Sequence, residues 1–173
     1  TIVVFTSDNG ALERPDGGSN APLRGHKGST WDGGQRVPAI VRWPGRTSPG
    51  RTVSEVASAM DLLPTFASLA GAPLAEDRVI DGVDLAPLLL EEEPTGPGPR
   101  GAFAFYFMDD LHAVRSGRWK LHVARDGRPC TELYDLETDI GETTDVQLDH
   151  PDVVRRLETI AEQHRAELGD ARV

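Results

Sequence analysis

The stretch TIVVFTSDNG, residues 1–10, ends a short apolar run with a carboxylate, an amide and a glycine. Residues 2–5 are all apolar, and we predict that residues 2–6 form a central strand that is buried on both faces between parallel neighbours. The rest of the chain offers at most one more such strand, and the chain has no initiator Met. We therefore expect the remainder of the sheet to come from residues that precede Thr1, or from a partner chain.

The composition limits the classes of function that the chain can have. Its 173 residues suffice for one domain or slightly more, and its formal net charge of -10 argues against nucleic acid as a general partner. The single cysteine, Cys130, excludes an internal disulfide framework and a cysteine-based zinc cluster. No apolar run is long enough for a membrane span, and the first residues lack the basic region of a signal peptide, so the compartment stays open.

The pattern after the first strand predicts the end of an α/β domain. Residues 38–43 have the pattern of a second strand, in which Pro38 can stand only at the first position or on an edge. Residues 61–70 predict a helix with Asp61 as N-cap and Gly71 at its end, and residues 80–90 hold a short helical turn. We assign residues 1–95 to this α/β domain.

The second part of the chain has a different pattern. Residues 91–100 have the composition of a linker. A helix begins at Pro151, with Leu157 and His164 on its apolar face and Gly169 at its end. Short apolar runs separated by turn residues predict a small antiparallel sheet, with strands at 102–107, 111–115, 119–124 and 131–136. We assign residues 96–173 to a small α+β subdomain that contains this sheet and helix.

Asp8 and Asn9 are the first candidates for a functional site. They follow a predicted strand of an α/β sheet, where such proteins bind ligands. A carboxylate and an amide carbonyl are hard oxygen donors suited to Ca²⁺ or Mg²⁺. Asp-Asn-Gly is equally good turn chemistry, and spacing alone favours the turn.

The long glycine-rich loop of residues 9–37 holds the second candidate, Lys27. Within residues 21–51 only Asp32 is acidic, whereas the cationic and histidine side chains are Arg24, His26, Lys27, Arg36, Arg42, Arg46 and Arg51. Glycines 25, 28, 33 and 34 are expected to let the backbone come close to a ligand, and a lysine among them offers a compact charge to an oxyanion. The alternative is a solvated loop whose arginines pair with acids elsewhere.

The other chemical groups carry weaker signals. His112, His122 and His150 are scattered, and His164 is expected to be a packed histidine. Residues 132–149 contain seven acids and no base, which indicates a solvated turn region.

Two blocks together resemble the arylsulfatase family of the alkaline-phosphatase-like superfamily. They are FTSDNG at residues 5–10 and LRGHKGSTWDGGQRVPAIVRWPG at residues 23–45. Supporting segments occur in the family's order, namely DLLPTFASLAGAPL, DGVDLAPLLL, AVRSGRWKLH and ELYDLETDIGE. The resemblance covers nearly the whole chain and implies an α/β fold, the end of an alkaline-phosphatase-like sheet domain followed by the α+β subdomain.

The resemblance also implies roles for particular residues. Asp8 and Asn9 match two calcium ligands of the family, and Lys27 matches a lysine that contacts the sulfate group of the substrate. His26 stands where relatives often have a small residue, and Ile140 replaces a common proline. The family's formylglycine nucleophile arises in a C-x-P-S-R-type motif that this chain lacks. The chain is therefore expected to be the C-terminal portion of a sulfatase, with part of the calcium site.

The implied function is hydrolysis of sulfate esters, on a small molecule or a sulfated glycan. The isolated chain is expected to be inactive and to associate through exposed sheet edges. The alternatives are a phosphodiesterase or phosphonate hydrolase of the same superfamily, and a non-catalytic binding or assembly module. The family implies a periplasmic, secreted or lysosome-like location.

Overall fold

A computed structural model describes residues 1–15, 17–90 and 98–170. The chain forms two compact units, the first from Thr1–Val4 and Ile40–Gly101 and the second from Phe5–Ala39 and Ala102–Val173. The predicted boundary between residues 95 and 96 lies outside the described residues, so that division stays a prediction. The elements in chain order are β1 (Val3–Thr6), α1 (Asp32–Gln35), β2 (Ala39–Arg42), α2 (Leu62–Ala70), α3 (Ala86–Leu90), β3 (Phe103–Phe107), β4 (Asp110–Ser116), β5 (Trp119–Arg125), β6 (Arg128–Asp135) and α4 (Pro151–Leu168).

The two predicted apolar strands pair with each other. β1 and β2 form a two-stranded sheet, which confirms both strands. The predicted burial of β1 is not found within this chain, because Val3 is 49% and Phe5 66% exposed. Val3 and Phe5 share one face of β1, and that face is open to solvent; Ile40 on β2 is likewise 60% exposed.

Asp61 organises the helical part of the first unit. It ends a 3-10 turn, Ala59–Asp61, that leads directly into α2. Its carboxylate accepts hydrogen bonds from the backbone N–H of Ser58 at 2.7 Å and of Val83 at 2.8 Å, and it forms an ion pair with Arg100. Asp61 is the N-cap residue of α2, as predicted, but its side chain closes a capping box with Ser58 and makes no cap bond to α2.

The ends of α2 and the position of α3 follow the sequence. α2 ends at Gly71, whose φ of 66° is the left-handed conformation that glycine adopts without strain. α3 lies in the predicted helical turn, and it packs against α2. The local signals were sufficient here because both helices are short and bounded by glycine, proline or aspartate.

The second unit is built on a four-stranded antiparallel sheet in the order β3-β4-β5-β6. Gly117 and Gly127 have positive φ in the tight turns that join β4 to β5 and β5 to β6. α4 packs against β4 and β5. The core between them consists of Leu111, Val114, Leu121, Leu133, Leu157 and Ala161. The predicted sheet and C-terminal helix are thus confirmed.

A membrane span was not expected from the sequence. Of the helices in residues 1–15, 17–90 and 98–170, none combines the length and the apolar composition that a bilayer crossing requires.

Candidate functional site

Asp8 and Asn9 lie directly beyond the carboxyl end of β1. The hydroxyl of Ser7 donates to the backbone oxygen of Asn9 at 3.0 Å, so this segment is a turn, as spacing alone favoured. Asp8 is exposed and Asn9 is half-buried. The turn and the ligand pair are compatible, because the Ser7 bond to Asn9 uses a backbone oxygen and leaves the amide side chain uncommitted. In the part of the chain that the structure describes, no cluster of three or more His, Cys, Asp or Glu side chains is arranged to hold a metal ion.

Backbone hydrogen bonds join this turn to the loop that carries Lys27. The N–H of Gly10 donates to Gly34 O at 3.1 Å, and the N–H of Lys27 donates to Ala11 O at 3.1 Å. The side-chain amide of Asn20 both donates to and accepts from the backbone of Ala11, at 2.8 and 2.7 Å. Residues that are far apart in the chain are therefore held side by side within one unit.

The glycines of the loop allow separate backbone segments to pack so closely that a side chain would not fit between them. A Cβ on Gly10 would lie 1.8 Å from Gly33 O, and a Cβ on Gly33 would lie 2.3 Å from Gly25 O. Gly34 is equally close to the backbone of Ser29. The expectation that these glycines serve the approach of a ligand is therefore wrong for Gly33 and Gly34, because the space is filled by the loop itself.

Lys27 lies at the exposed tip of this loop. The N–H of Ser29 donates to His26 O at 2.9 Å, which makes Lys27 and Gly28 the central residues of a tight turn. Gly28 has a φ of 89°, as the third residue of a type II turn requires, and open space surrounds it. The His26 ring donates from Nδ1 to Lys27 O at 2.9 Å. Among the described residues the Lys27 ammonium forms no hydrogen bond or ion pair, so it projects as an uncompensated charge.

A buried charged cluster lies beneath the loop, and the sequence did not reveal it. We define this buried cluster as Lys120, Asp32, Glu142 and His122. The Lys120 ammonium is fully buried and donates to Thr30 O at 2.9 Å and to Asp32 Oδ1 at 2.8 Å. It also forms an ion pair with Glu142 Oε1 at 2.9 Å.

Glu142 joins three segments of the second unit. Its Oε2 accepts from the backbone N–H of Asp32 at 2.8 Å, its Oε1 accepts from His122 Nε2 at 3.0 Å, and its backbone oxygen accepts from Arg24 at 2.7 Å. The expectation of a solvated acidic turn region is wrong for this residue, which has no exposed surface. Burial alone raises the pKa of Glu142, but the His122 hydrogen bond and the Lys120 charge outweigh it, so the pKa lies below its ordinary value.

His122 completes the cluster as a neutral group. Burial lowers the pKa of His122 below its ordinary value, and the hydrogen bond to Glu142 opposes this only in part. Because the Glu142 carboxylate only accepts, the neutral His122 ring carries its proton on Nε2. Lys120 and His122 are two residues apart on β5, so they lie on the same face of the strand. This i, i+2 spacing in a strand is the sequence signal that places the two side chains on one face.

Trp31 packs over the cluster and holds two arginines. Its ring centroid lies 4.2 Å from that of His122, and the guanidinium groups of Arg24 and Arg125 lie 3.8 and 4.3 Å from the Trp31 ring. Arg36 lies 3.9 Å from Asp32. Part of the positive charge of the loop therefore contacts groups of the same unit, since Arg24 binds Trp31 and Glu142 and Arg36 lies beside Asp32.

Comparison with known proteins identifies the family. Residues 1–72, which include Asp8, Asn9 and Lys27, match the family model described as Sulfatase. Steryl-sulfatase of Mus musculus is 39% identical over 210 residues, covering 99% of this chain and 34% of that protein. The chain belongs to the sulfatase family. Arylsulfatase A of Homo sapiens is 41% identical, covering 82% of this sulfatase chain and 32% of that protein.

The solved structures agree with the fold of this sulfatase chain. The crystal structure of Ps i-CgsB in complex with k-i-k-neocarrahexaose matches with a TM-score of 0.76 and 32% identity, over 94% of this chain and 36% of that one. The family and the mixed α/β fold expected from the sequence are therefore confirmed. The chain spans about a third of the length of the curated relatives it matches.

Proposed function

We propose that the protein containing this chain hydrolyses sulfate esters, with Asp8 and Asn9 as calcium ligands and Lys27 as a contact for the sulfate group. The observation that carries the proposal is the pair of backbone hydrogen bonds from Gly10 to Gly34 and from Lys27 to Ala11. These bonds join a turn with two oxygen donors to a loop with an exposed ammonium. A divalent cation and a lysine at neighbouring positions suit a tetrahedral anion with several charged oxygens.

The chemistry of the Asp8–Asn9 turn fits calcium. Asp8 supplies a carboxylate and Asn9 an amide oxygen, both of the hard type that Ca²⁺ prefers. Among the described residues, the Asp8 carboxylate accepts a hydrogen bond from the Ser7 hydroxyl at 3.5 Å, a weak contact that leaves its oxygens available. Ca²⁺ takes about six to eight oxygen ligands, so further groups must complete the site. When bound, the ion would supply positive charge for the sulfate oxygens.

Lys27 would bind the sulfate group by charge and hydrogen bonding. Its position in a tight turn fixes the backbone, while its exposed side chain can point three N–H donors at an oxyanion. The formylglycine motif is absent from the 173 residues, so the nucleophile of the proposed reaction is not among them. The chain alone should therefore show no sulfate-ester hydrolysis.

The proposed substrates are sulfate esters of small molecules or of glycans. The relatives that match are sulfatases, which favours sulfate esters over phosphate esters. Ps i-CgsB was crystallised with k-i-k-neocarrahexaose, which supports a carbohydrate as one class of substrate.

Calcium binding can be tested in the protein expressed from the complete open reading frame, because ligands beyond Asp8 and Asn9 must complete the site. Titration with Ca²⁺, followed by isothermal calorimetry, should show that Asp8→Ala weakens binding at least about tenfold, because the only carboxylate of the turn is lost. The control is Glu158→Ala, which removes an exposed carboxylate from α4. Equal calcium affinity of the Asp8 variant, the control and the wild type would contradict the metal assignment.

Lys27 can be tested in the protein expressed from the complete open reading frame. With para-nitrophenyl sulfate as substrate, Lys27→Ala should lower kcat/KM by about 100-fold or more, since a charge contact to the reacting group is removed. Lys27→Arg keeps the charge and should recover part of the loss. Hydrolysis of para-nitrophenyl phosphate in preference to the sulfate ester would refute the proposed reaction.

A further inference from the structure

We propose that Lys120 is a positioning residue for Lys27, and that it acts through Asp32 and Glu142 of the buried cluster. The inference rests on the proposed function, because it assigns a purpose to the placement of the Lys27 ammonium. Lys120 lies on β5, away from the tip of the loop, and its ammonium is enclosed by protein. Its effect on a substrate must therefore pass through the loop.

The loop that carries Lys27 is closed at its base. The N–H of Gly33 donates to Arg24 O at 2.7 Å, so residues 24–33 form a ring with Lys27 near its outermost point. Within the ring the Ser29 hydroxyl donates to His26 O at 2.8 Å and so stiffens the tip. A ring of this kind keeps its shape, and the position of Lys27 then depends on how the base of the ring is anchored.

The buried cluster supplies the anchor at both sides of the base. Lys120 binds Thr30 O and Asp32 Oδ1 on the outgoing side, and Glu142 binds the Asp32 N–H there as well. On the incoming side Arg24 donates to the backbone oxygen of Glu142 at 2.7 Å. Both sides therefore converge on Glu142, whose carboxylate is oriented by the Lys120 ammonium at 2.9 Å.

The balance of charge makes this anchor sensitive to the loss of Lys120. The carboxylates of Asp32 and Glu142 are balanced by the Lys120 ammonium, which contacts both, and at Asp32 also by Arg115 at 3.7 Å and by the exposed Arg36 at 3.9 Å. His122 adds no charge, since burial holds its pKa low. Without Lys120, the two buried carboxylates would lose the one cation of the cluster, which contacts both of them. The loop can relieve the resulting excess of negative charge by moving the Asp32 carboxylate toward solvent. The strand β5, which carries His122, is hydrogen-bonded on both edges within the sheet and cannot move in this way.

The anchor is separate from the apolar core of the unit. The core is formed by leucine, valine and alanine side chains between the sheet and α4. The partners of the Lys120 ammonium are instead Thr30 and Asp32 on the loop, and Glu142. Loss of Lys120 should therefore displace the loop before it disturbs the sheet.

A double-mutant cycle between Lys120 and Lys27 tests the inference in the protein expressed from the complete open reading frame. With para-nitrophenyl sulfate, Lys120→Met should lower kcat/KM by about 10- to 100-fold, as small misplacements of a binding group do. In the Lys27→Ala background the same substitution should cost less than about twofold, because there is no ammonium left to misplace. All variants are assayed at a temperature and pH at which circular dichroism shows that each of them is fully folded.

The matched control is Arg118→Met, two residues before Lys120. Arg118 forms ion pairs with Asp135 and Glu137, which lie outside the loop, and its side chain is 42% exposed. The substitution should lower kcat/KM by less than about twofold in either background. Hydrogen exchange gives a second readout: in Lys120→Met the amides of Lys27 and Gly33 should exchange at least about tenfold faster relative to those of β5 and β6.

The possible outcomes separate this inference from the proposed function. Equal losses of kcat/KM from Lys120→Met in the wild-type and Lys27→Ala backgrounds would overturn the positioning role alone. No loss from Lys27→Ala itself would instead remove the role of Lys27, and the inference would fall with it. If Lys120→Met does not fold, Asp32→Asn takes its place as a milder change to the same anchor. If Asp32→Asn also fails to fold, the buried cluster stabilises the whole second unit, and a role specific to the loop is overturned.

Discussion

Replacement of Lys120 by methionine should destabilise the second unit strongly. Methionine is close to lysine in length and keeps an apolar stem, so little cavity is created. It does remove the contact of the Lys120 ammonium with the Phe105 ring, whose centroid lies 4.3 Å from Nζ. The substitution removes two hydrogen bonds, of 2.9 and 2.8 Å, and an ion pair of 2.9 Å from a group with no exposed surface. It also leaves the carboxylates of Asp32 and Glu142 without their nearest cation.

The expected loss is about 3–5 kcal/mol in the free energy of unfolding, the range found when one partner of a buried ion pair is removed. A folded domain has a total stability of only about 5–15 kcal/mol, so the variant should sit near the limit of folding at 37 °C. The lost hydrogen bonds alone would not produce this loss; the desolvated carboxylates make it large.

The pH dependence separates the charge effect from a packing effect. The lowered pKa of Glu142 contributes stability that is present above the ordinary glutamate value of 4.5 and is lost as the pH falls through the folded value. Without Lys120 the pKa of Glu142 should rise, so its carboxylate can be neutralised by a proton. The difference in stability between wild type and Lys120→Met should therefore be largest near neutral pH and should narrow toward pH 4.5.

Urea unfolding followed by tryptophan fluorescence is a suitable assay, because Trp31 stacks on His122 inside the affected region. Arg118→Met is the control and should change the unfolding midpoint much less, since the Arg118 side chain is 42% exposed and its charge is screened by solvent. A loss below about 1 kcal/mol, or a loss that does not vary between neutral and acidic pH, would refute the reasoning.

Three further predictions concern other parts of the chain. Gly10→Ala should disrupt the packing of the loop or lower Tm by several degrees, because its Cβ would lie 1.8 Å from the Gly33 backbone oxygen. A Cβ on Gly28 meets open space, so Gly28→Ala should lower the free energy of unfolding by only about 1–2 kcal/mol, which is the cost of its positive φ. Thermal unfolding compares the two variants. Asp61→Asn should destabilise the first unit by about 1–3 kcal/mol, because a buried acceptor of two backbone N–H groups loses its charge, and helical circular dichroism in urea would measure it. Stability of the wild type should decline as the pH falls below 6.5, because the unfolded chain protonates His122 more readily than the folded one; His122→Gln should flatten that part of the profile in pH-dependent urea titrations.

Much of the fold follows from local patterns. The strands β3 to β6 could be predicted because apolar runs alternate with turns that contain Gly117 and Gly127, and each hairpin joins neighbours in the chain. α4 follows from its helical period, its first-turn proline and Gly169 at its end. These signals act within a few residues, so no knowledge of distant contacts is needed.

The candidate site could be predicted only in part. Asp8, Asn9 and Lys27 stand in a resemblance that family comparison supports, although their roles stay predictions. Lys120 was missed because a lysine in an apolar strand gives no local sign of the acceptors that surround it. Its ion pair with Asp32 joins residues 88 positions apart, and the Glu142 bond to the Asp32 N–H spans 110 positions.

The sequence by itself determined which segments become strands, helices and tight turns, because these depend on side-chain period, proline and glycine. It also carried the family resemblance in the blocks around SDNG and LRGHKG. Only the tertiary structure decided which charges are buried. Residues 132–149 contain seven acids, and no feature of the adjacent sequence predicts that Glu142 is buried. Of the described acids there, it alone has no exposed surface. Burial is set by what the rest of the fold places around a residue, and here that is Lys120 and the base of the Lys27 loop.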